Sequence, residues 1–220
     1  MALCFAGAKA SAQVVSIPDA NFKAALIAAG VDKNNDGEIQ ESEALLVAKL
    51  DVYRKDISSL EGIAAFKHLT FLSCGSNNLS TFDLSGNTEL TDLICSNNNV
   101  TSLDLSLLVN IRRVSCSINK LTSLNVSQNN LTLLDCSYND LTELDLSGNK
   151  QLSTFDCSHN PSLTKIYIAE GITPNDRWSK DAKAQWVNKK ALIVAVKPAV
   201  DAGIAAVNIP DANFKAALIA

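Results

Sequence analysis

Residues 131–150 read LTLLDCSYNDLTELDLSGNK, and the same outline, L-x-x-L-x-C-x-x-N-x-L-T-x-L-D-L-S-x-N, recurs on either side of them. Aligning the middle of the chain on cysteine gives Cys74, Cys95, Cys116, Cys136 and Cys157, spaced 21, 21, 20 and 21 residues apart. Three positions after each stands an asparagine: Asn77, Asn98, Asn119, Asn139 and Asn160. A fixed period of this length marks a solenoid, in which a turn too small to bury its own apolar face stacks on the next. Alternating apolar residues such as Leu134 and Cys136 suit a short strand with one buried face, and stacked strands give a parallel sheet with rungs about 4.8 Å apart. Where the strand ends, the asparagine amide can serve free backbone groups, its own and its neighbours'. Leu141, Leu144 and Leu146 then close the coil from the other side.

These turns resemble the leucine-rich repeat family, L-x-x-L-x-L-x-x-N/C-x-L. With their period and their strand cysteine they are similar to the cysteine-ladder, internalin-type repeats of bacterial surface proteins. The resemblance covers about residues 47–168. Two departures touch single rungs: Val52 stands where later turns have cysteine, and Leu108 where a second asparagine or polar residue would fall.

The thiols read as small buried hydrophobes. Zinc needs ligands that converge tetrahedrally, whereas these form a straight column. Cβ atoms on adjacent rungs point the same way, which disfavours disulfide torsions. The only histidines are His68 and His159, and neither paired catalytic carboxylates nor a Gly-rich phosphate loop is present, so no enzyme is expected.

Upstream, Asp32 to Glu43 reads D-K-N-N-D-G-E-I-Q-E-S-E and fills the twelve-residue pattern of an EF-hand calcium loop. Asp32, Asn34 and Asp36 take positions 1, 3 and 5, with Gly37 at the sharp turn. Glu38 would give its carbonyl, Gln40 would act at position 9, and Glu43 would bind with both oxygens. Asp19 is placed to cap a helix over 20–29, with Phe22, Leu26 and Ile27 on one face and Gly30 ending it. A solenoid needs its first rung covered, and residues 13–48 are expected to do this as a helical cap in which Ca²⁺ has a structural role. The expected fold class is therefore an α/β solenoid: a leucine-rich repeat right-handed coil with a parallel concave sheet, an N-terminal helical EF-hand-like cap and a C-terminal lid.

Residues 49–168 are assigned to the repeats. The segment 169–206, with Trp178 and Trp186, is assigned to a C-terminal cap and linker. The twelve residues IPDANFKAALIA at 17–28 return at 209–220, so 207–220 reads as the start of a second, truncated cap unit of a longer modular protein. At the other end MALCFAGAKASAQ reads as a secretory-signal remnant, residues 1–12, with Ala10, Ser11 and Ala12 before the cleavage point; the translation start is expected upstream. This implies a secreted or cell-surface protein.

A net charge of −4 with no basic run argues against nucleic acid and anionic membrane surfaces. No apolar stretch approaches the roughly 18–20 residues of a membrane span, so no membrane insertion is expected. Function is expected on strand residues that face away from the core. One such column holds Phe71, Asp92, Arg113, Leu133 and Thr154; the next holds Ser73, Ile94, Ser115, Asp135 and Asp156. Beside a column of serines (Ser96, Ser117, Ser137, Ser158) run Asn97, Ile118, Tyr138 and His159. Phe71, Ile94, Ile118, Leu133 and Tyr138 are apolar where the fold does not ask for it, and with Arg113, Asp135, Asp156 and His159 they form the expected partner surface. The leading expectation is a monomeric protein-binding module. The serines with Asp135 and Asp156 leave a carbohydrate-binding adhesin open, and a spacer displaying another domain is the third reading.

Overall fold

The computed structural model describes residues 13–189. The signal remnant, residues 190–206 of the C-terminal segment and the second cap start lie outside the described residues. Two helices, α1 (Ala20–Ala28) and α2 (Glu41–Ala44), precede ten strands: β1 (Lys49–Asp51), β2 (Phe71–Ser73), β3 (Asp92–Ile94), β4 (Arg113–Ser115), β5 (Leu133–Asp135), β6 (Glu143–Asp145), β7 (Thr154–Asp156), β8 (Lys165–Ala169), β9 (Trp178–Ser179) and β10 (Gln185–Lys189). Strands β1-β2-β3-β4-β5-β7-β9 form one parallel sheet with no slip in register, and β10-β8-β6 form a second parallel ladder. The first sheet runs past residue 168, because β9 pairs with β7 and the C-terminal segment is itself built as a last turn.

The inward positions repeat rung by rung. Leu72, Leu93, Val114, Leu134 and Phe155 are buried at mid-strand, and Val52 continues the column of five buried cysteines. Burial, reinforced at the later rungs by neighbouring thiols and carboxylates, raises the pKa of each thiol: that of Cys74 is pushed up to about 12. All five are free thiols.

The asparagine ladder closes each turn. Asn98 donates its amide to the carbonyls of Cys74 and Cys95, at 3.1 and 3.0 Å, and accepts from the N–H of Leu79 at 3.0 Å. Asn119, Asn139 and Asn160 repeat these contacts one turn further on each time. One side chain thus satisfies two buried carbonyls and one buried N–H, which a lone strand end would leave unpaired.

The second half-turn has its own devices. Asp83, Asp104, Asn125 and Asp145 each accept from the backbone N–H two residues on, which makes the D-L-S stretch an Asx turn. A second ladder, Asn87, Asn129 and Asn149, reaches back to carbonyls of the preceding turn. Leu108 interrupts it with a side chain that is 1% exposed. At Gly148 the turns approach so closely that a Cβ would sit 1.9 Å from the Ser127 carbonyl oxygen.

Both ends are sealed by a carboxylate. Asp19 caps α1 through the Phe22 N–H at 2.9 Å, and its other oxygen accepts from Ser58 and Ser59 of the first turn at 2.8 and 3.0 Å. At the far end Asp181 accepts from His159 and Asn160 at 3.0 and 2.8 Å. In earlier turns those N–H groups find the next turn's backbone: those of Ile118 and Asn119 go to the carbonyls of Ser137 and Tyr138. Phe155, Trp178 and Trp186 pack together behind Asp181's segment, with the indole centroids 5.6 Å apart. Helix α1 buries Phe22, Ala25 and Leu26, while Ile27, expected on that face, is 38% exposed. The helix ends as expected at Gly30, with the N–H of Val31 on the Leu26 carbonyl and that of Gly30 on the Ile27 carbonyl.

Candidate functional site

Strand register sets out the concave face. Phe71, Asp92, Arg113, Leu133 and Thr154 are Cα partners across five rungs, as are Ser73, Ile94, Ser115, Asp135 and Asp156. All of these except the buried Ser73 line a groove of about 590 Å³. Of the nine residues expected to meet a partner, Phe71, Ile94, Arg113, Leu133, Asp135 and Asp156 come together in it.

Apolar and charged side chains alternate in the groove: Phe71, Ile94 and Leu133 stand among Asp92, Arg113, Asp135 and Asp156. Arg113 is ion-paired with Asp92, one rung away, so its charge is compensated. Asp92 was legible as a column member and missed as a functional group; the signal was a carboxylate one period before an arginine. Asp135 and Asp156 stand opposite each other on β5 and β7, and neither forms a salt bridge among the described residues. Each is oriented by an Asx-type bond, Asp135 from the N–H of Ser137 at 3.1 Å and Asp156 from that of Ser158 at 2.8 Å. Like charges directly opposed on neighbouring strands destabilise a sheet.

Ile118, Tyr138 and His159 lie outside the groove, on the turn that follows the strands. With Ser76 and Asn97 they form a column in the left-handed conformation, φ 53 to 58°. Asparagine tolerates this region well and a β-branched residue poorly, yet Ile118 adopts it and is 51% exposed. The rings of Tyr138 and His159 stack 3.9 Å apart at 7°.

The serine column is largely spent on the protein itself. Ser117 and Ser137 are buried. The hydroxyl of Ser96 bonds those of Ser115 and Ser117, and Ser137 donates to Asp135 at 2.7 Å.

In the cap, the loop of Asp32 to Glu43 is tied to the segment before α1 by an antiparallel bridge, Val14 with Gln40. Asp32, Gln40 and Glu43 are buried, whereas Asn34, Asp36 and Glu38 are exposed. The Glu43 oxygens accept three backbone N–H groups, those of Lys33 (2.7 Å), Asn34 (3.3 Å) and Gln40 (2.9 Å), rather than standing free as a bidentate pair. Glu38 pairs with Lys23 of α1 at 2.7 Å. Among the described residues no three His, Cys, Asp or Glu side chains gather as a metal-holding group. No helix among them is long and apolar enough to cross a membrane.

No protein-family model matches the chain. Over 71 residues it is 41% identical to Internalin J of Listeria monocytogenes serotype 4b (strain F2365), a match covering 32% of this chain and 8% of that protein. The functional domain of InlJ from Listeria monocytogenes, whose structure includes a cysteine ladder, superposes with a TM-score of 0.63 and 38% identity, covering 71% of this chain and 38% of that one. An internalin, inlF, from Listeria monocytogenes str. 4b F2365 superposes with a TM-score of 0.57 at 20% identity, covering 69% and 49%, a likeness of fold alone. The chain thus spans under half the length of each of these proteins. Period, strand thiols, asparagine ladder and superposition agree, and the chain folds as an internalin-type leucine-rich repeat solenoid.

Proposed function

We propose that this chain is a secreted or surface-displayed recognition module whose concave groove binds a protein segment that is both apolar and basic. The observation that carries this is the pair Asp135 and Asp156, two carboxylates facing each other without a cation, beside Phe71, Ile94 and Leu133. Left alone the pair costs the fold; a lysine or arginine placed between them relieves the repulsion and gains two charge-assisted bonds. Phe71, Ile94 and Leu133 supply the buried contact area that such a pair needs around it. Ile118, Tyr138 and His159 extend the surface along the rim.

Protein is favoured over sugar for two reasons. The serine hydroxyls that would meet a sugar are bonded to one another, to Asp135 or, for Ser158, to the His159 ring. Tyr138 and His159 stack on each other, which leaves each ring only its outer face for a sugar.

The test is selection of short random peptides displayed on phage against the immobilised chain, run beside a glycan array. Enrichment of sequences that place Lys or Arg next to large apolar residues, with binding that weakens in salt, is the expected result. Hits confined to the glycan array, or no enrichment by a protein shown to be folded, would overturn it; the first points to the adhesin and the second to the spacer.

A further inference from the structure

The cap loop plays no part in the groove, yet it holds a carboxylate that the fold does not explain. Asp32 is 8% exposed. Its Oδ2 accepts the Gly37 N–H at 3.0 Å, which draws the carboxylate against the turn, but its Oδ1 is buried with no hydrogen-bond partner. An unpaired buried carboxylate oxygen is costly and calls for a cation or a donor. The same loop carries further oxygen donors. Asp36 Oδ2 gathers the amides of Asn34 and Gln40, at 2.9 and 2.8 Å, and those two amides contact each other at 3.2 Å. Turned over, each amide offers an oxygen where it now offers N–H, at the loss, for Asn34, of the bond its oxygen accepts from the Asp36 N–H at 2.9 Å.

We propose that this loop binds one Ca²⁺ through Asp32, Asn34, Asp36 and Gln40 with the Glu38 carbonyl, and that Glu43 acts as a clasp on the loop backbone. Two carboxylates and neutral oxygens in a flexible loop suit Ca²⁺, which accepts irregular oxygen shells, better than Mg²⁺, which demands a near-ideal octahedron. So few charges imply a dissociation constant on the order of 10⁻⁴ to 10⁻³ M, in the range of extracellular calcium modules. The loop's exit is bonded to the N-terminal segment, with Val15 N–H on the Ile39 carbonyl at 2.8 Å and Glu41 N–H on the Gln13 carbonyl at 2.8 Å, so the ion would stiffen the cap as a unit.

The experiment is thermal unfolding of the full chain in CaCl₂ at about 10 mM, in MgCl₂ at the same concentration and in EDTA, with calorimetric titration of CaCl₂ alongside. In calcium Tm should rise by about 4 °C, with little change in magnesium. Asp36→Ala also loses the bonds from the Glu38 N–H and from the Asn34 and Gln40 amides, so its Tm in EDTA should fall, but it should show neither the calcium shift nor the heat. Equal Tm in calcium and EDTA with no heat, or a shift that survives in both Asp36→Ala and Asp32→Asn, would overturn the site.

Discussion

The inside and the outside of the same strands obey opposite rules. Facing the core, each column is nearly monotonous: leucine, cysteine and asparagine recur at matching burial from rung to rung. Facing out, Phe71, Asp92, Arg113, Leu133 and Thr154 are five different chemistries in one column. A stacked coil rewards sameness inside, because a side chain of the same size and the same hydrogen bonds fit each layer. Outside, the fold imposes no such demand, and the variety there includes residues that work against it. Asp135 beside Asp156, and Ile118 in a left-handed turn, are the two clearest cases.

The largest expected effect breaks the inner rule at a position next to one that follows the outer rule. Asn139→Leu removes the amide from the Cys116 and Cys136 carbonyls and the acceptor from the Leu121 N–H, all buried. It should destabilise by about 3 kcal/mol, or roughly 6 to 12 °C in Tm, whereas Tyr138→Asn, one residue earlier, should stay within about 0.5 kcal/mol. Similar losses at both positions in thermal melts would erase the distinction.

A middling effect is expected at the cap seam. Asp19→Ala takes the cap from α1 and the bonds from Ser58 and Ser59, which should cost about 1.5 kcal/mol. Burial alone would raise the carboxyl of Asp19, but bonds from the N–H groups of Phe22, Ser58 and Ser59 outweigh it and hold it below 3.8. Its contribution is therefore complete above about pH 5 and fades as the pH falls through the lowered folded-state value. Melting curves between pH 7 and 2.5 should show wild type and variant separated at neutral pH and converging in acid; a constant gap would show that Asp19 acts by packing alone.

Sequence reading reached the inner columns because they repeat. Five registers of cysteine and asparagine fixed the strands, and even the Cα partners of the concave columns followed from the spacing. It fell short where a residue acts once. Asp181 takes the N–H groups that earlier turns give to backbone carbonyls, and nothing periodic marks it. The second bond set of Asp19 reaches residues 39 and 40 positions away, which local capping rules do not see. Ile27 was placed on the buried face by helical spacing, but the short α1 turns that face towards Phe22, Ala25 and Leu26. The Arg113 charge looked free for a partner because its pairing with Asp92 depends on rotamers that a sequence column does not specify.

The smallest expected effect on stability carries the most direct test of function. Asp135→Asn with Asp156→Asn keeps the acceptors for the Ser137 and Ser158 N–H groups and removes both charges. Stability should hold within about 0.5 kcal/mol or rise slightly, since a repulsion is gone. The decisive measurement is the affinity of this double variant, at low and high salt, for a peptide selected on the wild-type groove. At least a tenfold loss, about 1.4 kcal/mol, together with a flattened salt dependence is the predicted result. Unchanged affinity and salt dependence in a folded variant would contradict recognition through the paired carboxylates.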